Sequence, residues 1–137
     1  MALTAGDVMT TQLITVTPST SLTEFARLCA EDNISGAPVT RVDGTLMGIV
    51  SKTDVIQRLL DTHPAHGTVD EPTFWDQDAL QVGDIMSEVI ATVPPTATLP
   101  EIAGRMARDR VHRVLVTDEG KLLGIVTSID VLAHFPQ

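Results

Sequence analysis

Two acidic residues stand in the same local setting. Asp54 follows Ser51 by three positions and Asp130 follows Thr127 by three, after the apolar runs Gly48-Ile49-Val50 and Gly124-Ile125-Val126. A carboxylate can accept hydrogen bonds from two vicinal hydroxyls at once, as a ribose presents them. A Ser or Thr three residues earlier, where a strand gives way to a helix, sits beside unpaired backbone amides and the positive end of the helix dipole, where anions are favoured. The same spacing also describes a helix N-cap with an acid in the first turn, and spacing alone leaves both open. A second constellation is His112-Arg113, inside Val111-His112-Arg113-Val114. Arginine offers forked donors to a phosphate, and an imidazole adds a donor whose charge depends on pH.

Charge and composition narrow the rest. Eighteen acidic residues against nine basic give −9, which repels nucleic acid and anionic membranes at long range. Arg105, Arg108, Arg110 and Arg113 nevertheless crowd together, and a small anion could be held there. Arg105 and Arg108 themselves are expected on the solvated face of a helix. His63 and His66 offer two imidazoles near Asp61 but no closing ligand set, so a polar loop and no metal site are expected. Met9, Met86 and Cys29 read as core packing. No phosphate loop of the G-x-x-x-x-G-K-[ST] type, no G-x-G-x-x-G and no nucleophile-base-acid arrangement is present, so an enzyme is not expected. A chain of 137 residues, 43% hydrophobic, suits one compact domain or two halves sharing a core. No apolar run reaches the roughly 18 residues of a membrane span. The segment MALTAGDVMT lacks the marks of a secretory signal, and one cysteine excludes an internal disulfide. A cytoplasmic protein is expected.

The elements that must position these residues are written twice. Gly6-Asp7-Val8-Met9-Thr10 returns as Gly83-Asp84-Ile85-Met86-Ser87, and Leu22-Thr23-Glu24 as Leu99-Pro100-Glu101, each 77 residues on. After Thr40 and Thr117 the spacing drops to 76, so that Gly44-Thr45-Leu46-Met47-Gly48-Ile49-Val50 meets Gly120-Lys121-Leu122-Leu123-Gly124-Ile125-Val126. Each copy reads as a β-α-β-β-α unit. Leu13 to Val16 is a short strand ended by Pro18, and Ser21/Glu24 and Thr98/Glu101 are capping boxes. Helices follow, with Leu22, Phe25, Ala26 and Cys29 on one face and Leu99, Ile102, Ala103 and Met106 on the other copy's. Hairpins turn at Asp43-Gly44 and Glu119-Gly120, and closing helices carry Val55, Ile56, Leu59 and Leu60, or Val131, Leu132 and Phe135. One such unit is marginal alone. The expected fold is α/β (α+β): two β-α-β-β-α repeats packed sheet to sheet with pseudo-twofold symmetry. The boundaries fall at 1–60, an acidic linker over 61–81 pinned by Phe74 and Trp75, and 82–137.

The repeated pattern D-[VI]-M-[TS], a strand with T-V, then Ile34-Ser35-Gly36-Ala37-Pro38-Val39 and G-x-[IV]-V-[ST]-x-x-D resembles the cystathionine β-synthase (CBS) domain pair, or Bateman module. Both copies carry it across nearly the whole chain outside the linker. The resemblance implies a regulatory, ligand-sensing module that binds AMP, ADP, ATP or S-adenosylmethionine in clefts between the repeats, with no required cofactor. It implies two ligand sets. One uses Ser51 and Asp54 with Thr92, Val111, His112 and Arg113; the weaker one uses Thr127 and Asp130 with Thr15, Ile34, Ser35 and Gly36. Val111-His112-Arg113-Val114 resembles the phosphate-contacting I-H-R-L element of the γ subunit of AMP-activated kinase, whereas Ser35-Gly36 brings no cation. The family pattern further implies a homodimer, expected through faces with Phe25, Leu28 and Leu59 or their counterparts in the other copy, and an unknown regulated protein as partner. The other open reading is a structural or adaptor protein that works by dimerisation and protein contact without a ligand.

Overall fold

A computed structural model of the protein describes residues 3–62 and 80–134. His63, His66, Phe74, Trp75, Phe135 and the Leu59 side chain lie outside the described residues. In chain order the elements are α1 (Ala5–Val8), α2 (Leu22–Asp32), β1 (Gly36–Thr40), β2 (Leu46–Ser51), α3 (Lys52–Thr62), α4 (Val82–Ile85), β3 (Thr92–Val93), α5 (Leu99–Asp109), β4 (Arg113–Asp118), β5 (Lys121–Thr127) and α6 (Ser128–Ala133).

These elements sort into two compact units, and the sorting does not follow chain order. The first-copy unit holds 14–42, 47–62 and 80–88; the second-copy unit holds 3–13, 43–46 and 89–134. Each unit therefore takes its Gly-Asp-[Val/Ile]-Met segment from the other copy. In the second-copy unit Ala5 N–H donates to the Ala97 carbonyl at 2.8 Å and Gly6 N–H to that of Pro95 at 2.9 Å. Thr10 then bridges Ile125 in an antiparallel pair of bonds, 2.9 and 3.0 Å. The first-copy unit repeats the device: Val82 N–H donates to Thr20 and Gly83 N–H to Pro18, both at 2.8 Å, and Ser87 bridges Ile49.

That docking explains the glycine of each G-I-V run. A Cβ on Gly124 would lie 2.8 Å from the Thr10 carbonyl oxygen, and one on Gly48 would lie 2.6 Å from that of Ser87. Both contacts are closer than a real side chain tolerates, so only glycine lets the docked segment reach the strand.

In the second-copy unit, β3 runs parallel to β4, with Thr92 opposite Leu115, and β4 runs antiparallel to β5. Its core is Val93, Ile102, Met106, Val114, Val116, Val126 and Val131, with Ala5 brought in by α1. The first-copy unit pairs β1 with β2 and packs Val16, Leu22, Phe25, Val39, Val50 and Val55 together with Val82 of α4. The expected strand from Leu13 to Val16 is reduced to a parallel bridge between Val16 and Val39, because Pro18 ends the extended run almost at once.

Thr98 and Glu101 form the full capping box expected of them, whereas Ser21 caps α2 and the Glu24 carboxylate pairs with Arg27. Glu24 N–H donates to Ser21 Oγ at 3.0 Å, while Thr98 N–H donates to Glu101 Oε1 at 2.8 Å and Glu101 N–H to Thr98 Oγ1. Both helices end on a left-handed residue, Asn33 at φ 54° and Arg110 at φ 55°. Phe25 is fully buried in its own unit, so it cannot serve the dimer face expected of it. Among the described residues, Ile56 and Leu60 on α3, and Ile129 and Leu132 on α6, are large apolar side chains that stand exposed.

Candidate functional site

Each unit assembles one strand-to-helix junction. In the first-copy unit, β2 ends at Ser51 and α3 begins at Lys52. Ser51 N–H donates to Asp54 Oδ2 at 2.8 Å, and Asp54 N–H returns a bond to Ser51 Oγ at 3.1 Å. In the second-copy unit, Thr127 N–H and Oγ1–H both donate to Asp130 Oδ2, at 2.9 and 3.0 Å. Asp130 N–H donates back to Thr127 Oγ1 at 3.3 Å. The helix-cap alternative is thus realised, but it does not exhaust the groups. Each cap uses Oδ2 and leaves Oδ1 out of it, and both aspartates remain half-buried rather than sealed. Asp54 opens onto a cavity of about 240 Å³ that it shares with Gln57, Arg58, Asp84 and Ile85 of the same unit.

The remaining expected residues sit beside these junctions. In the first-copy unit, Lys52 N–H donates to the Ser35 carbonyl at 2.9 Å, which pins the Ile34-Ser35-Gly36 segment against the β2 end. A Cβ on Gly36 would fall 2.8 Å from the Val50 carbonyl oxygen, so this position cannot carry the cation that its counterpart carries. Thr15 is exposed and Ile34 half-buried. In the second-copy unit, Ser128 N–H donates to the His112 carbonyl at 2.8 Å, and Arg113 stands opposite Thr127 in the β4–β5 register. His112 and Arg113 are exposed, while Thr92 and Val111 are half-buried. The structure therefore gathers Thr92, Val111, His112, Arg113, Thr127 and Asp130 in one unit. It gathers Thr15, Ile34, Ser35, Gly36, Ser51 and Asp54 in the other.

Arg105 does more than line a solvated helix face. Its Nη1 donates to the Thr92 carbonyl at 2.9 Å and its Nε to Asp109 Oδ2. The Arg105 hydrogen bond is the main reason the Asp109 carboxyl titrates below the usual range. Nothing local in the sequence announces the Arg105–Thr92 bond, because it joins a helix to a strand across the fold. Cys29 borders a small apolar cavity between α2 and α3, where burial pushes its thiol up and Lys52 partly opposes that. Among the described residues no group of three or more His, Cys, Asp and Glu gathers to hold a metal. No described helix is long and apolar enough to cross a membrane.

The family model of the CBS domain matches residues 5–61 and 82–136. The chain is 30% identical to the uncharacterized protein MJ1426 of Methanocaldococcus jannaschii, over 87% of this chain and 83% of that one. It is 36% identical to inosine-5'-monophosphate dehydrogenase of Korarchaeum cryptofilum, but over only 21% of that protein's length. The solved structure of CBSX2 in complex with AMP superposes with a TM-score of 0.76 at 30% identity, covering 96% of this chain and 94% of that one.

Proposed function

The chain belongs to the CBS domain family, and from that premise we propose that it is a regulatory module that senses an adenosyl ligand and passes the signal to another protein. The ligand class is an adenine nucleotide (AMP, ADP or ATP) or S-adenosylmethionine, held without any resident cofactor. We assign Ser51 and Asp54 with Thr92, Val111, His112 and Arg113 to the stronger site, and Thr127 and Asp130 with Thr15, Ile34, Ser35 and Gly36 to the weaker one. What carries the proposal is the likeness, at 30% identity along nearly the whole chain, to a protein solved with AMP. The local chemistry agrees with it. Asp54 and Asp130 each keep Oδ1 outside the helix cap, and a half-buried carboxylate oxygen suits a sugar hydroxyl. Arg113 and His112 add phosphate donors to one set, whereas glycine at position 36 denies them to the other.

The role is regulatory rather than catalytic: a ligand shifts a conformational equilibrium only by its differential affinity for the two states. The partner-facing part is a homodimer, supported by the apolar side chains that α3 and α6 leave exposed. The same exposed residues favour the second reading, an adaptor that works by protein contact alone. Calorimetric titration with AMP, ATP and S-adenosylmethionine separates the two. Saturable binding of at least one, abolished or weakened by Asp54→Asn, supports the sensor; no heat from any of the three supports the adaptor.

A further inference from the structure

Thr92, Thr96, Arg105 and Arg108 line a polar cavity of about 280 Å³ that lies wholly within the second-copy unit, between the end of β3 with its following loop and α5. A guanidinium has five N–H donors. Arg105 commits Nε to Asp109 and one Nη1 donor to the Thr92 carbonyl, which fixes its plane at the cavity wall and leaves further donors for a ligand. The Arg108 side chain is 71% exposed, meets Asp109 at 3.5 Å and lines the same space. Glu101 also borders the cavity, but its Oε1 is taken by the Thr98 amide at 2.8 Å and the Thr98 hydroxyl at 3.1 Å, in the cap of α5.

The other copy shows that the helix does not need these arginines. The 77-residue offset puts Leu28 where Arg105 stands, Glu31 where Arg108 stands and Ser19 where Thr96 stands. Yet α2 and α5 have the same 11-residue length, the same kind of N-cap and the same left-handed end. The helix itself therefore requires neither guanidinium, although Arg105 also ties α5 to the Thr92 carbonyl of β3. Asp109 and Glu101 offset part of the local charge, but two guanidiniums with donors to spare beside hydroxyls on a concave polar surface suit an anionic occupant.

We propose that this cavity is an oxyanion site, which takes a phosphate-type group through Arg105, Arg108 and the Thr96 hydroxyl. The group is either free inorganic phosphate or the phosphoryl end of a larger ligand, and the inference stands without the adenosyl proposal. The test is titration of the full chain with inorganic phosphate, AMP and adenosine at ionic strength matched with chloride. Wild type is compared with Arg105→Leu and Arg108→Glu, the residues that the first copy already carries on an equivalent helix. Circular dichroism and thermal melting verify that both variants fold. Loss of one charge-assisted contact predicts saturable phosphate binding that weakens by about tenfold in Arg105→Leu, and by more in Arg108→Glu, which sets a like charge against the anion; adenosine is unaffected in both. If AMP weakens alongside phosphate, the occupant is a phosphoryl group of a nucleotide; if phosphate alone weakens, it is the free anion. Phosphate binding that does not saturate in wild type, or that is equal in all three proteins, overturns the site. Phosphate binding without any AMP binding leaves this site standing and removes the adenosyl proposal.

Discussion

Arg113 faces Thr127 across the β4–β5 ladder. That register sets an exposed guanidinium at the end of the sheet where Thr127 caps α6 and where the His112 carbonyl takes the Ser128 amide. The first-copy equivalent is Gly36, packed against Ser51 with no room for a side chain. Arg113 is thus a difference between the copies that the fold permits on one side only. Arg113→Ala should weaken AMP binding by about tenfold, or about 1.4 kcal/mol, and leave adenosine binding and the melting temperature unchanged. Equal AMP affinities by calorimetry would remove Arg113 from the proposed site.

Asp54 should behave differently, because its proposed contact is to the sugar and not to the phosphate. Asp54→Asn should lower affinity for AMP and adenosine by the same factor, a pattern that Arg113→Ala does not produce. The Ser51→Ala variant isolates the cap. Losing the Ser51 Oγ acceptor at the start of α3 should cost about 1 kcal/mol in chemical denaturation.

The Thr98–Glu101 box makes stability depend on acid. The Thr98 backbone amide, and then its hydroxyl, hold the exposed Glu101 carboxyl below its ordinary range, and Thr4 does the same for Asp7. A carboxyl depressed in the folded state stabilises above its unfolded pKa, and that contribution disappears as pH falls through the lower folded value. Melting temperature should therefore be flat from about pH 7 to about pH 5 and fall below about pH 4, where these carboxyls take up protons. In Glu101→Gln the fall should be shallower; an identical pH profile would show that the box contributes nothing.

Gly48→Ala should destabilise strongly for its size, by about 1–3 kcal/mol, because the new methyl meets the Ser87 carbonyl oxygen. Limited proteolysis should show the cost locally, as faster cleavage around Met86, the segment that the methyl pushes away. Cleavage at the wild-type rate there would contradict the close approach.

Arg110 ends α5 in a left-handed conformation that costs an L-residue with a Cβ about 1 kcal/mol or more. Arg110→Gly should therefore raise stability by about 0.5–1 kcal/mol after the entropy that glycine adds to the unfolded chain. The measurement is a urea midpoint at constant m-value.

What the sequence made legible was local or repeated. Ser21/Glu24 and Thr98/Glu101 were readable because a cap is settled within one turn of chain. The same spacing in Thr4/Asp7 and Gln81/Asp84 builds α1 and α4, which are so short that no apolar periodicity marks them. The two copies were plain from their offset, but an offset tells which residues correspond and not which ones touch. Hence Met9 packing at Gly124, and Met86 at Gly48, came only from the structure. Arg105 was correctly placed on a helix. Its bond to the Thr92 carbonyl depends on how α5 lies beside β3, which no spacing along one helix encodes.

The exchange of leading segments has a consequence for synthesis. The stretch around Met9 leaves the ribosome long before the residues it must join at Pro95, Ala97 and Ile125 exist, so the second-copy half cannot close until nearly all of the chain has emerged. Cutting the gene between the repeats would yield two fragments that each lack a strip of their own wall and complement one another only when mixed.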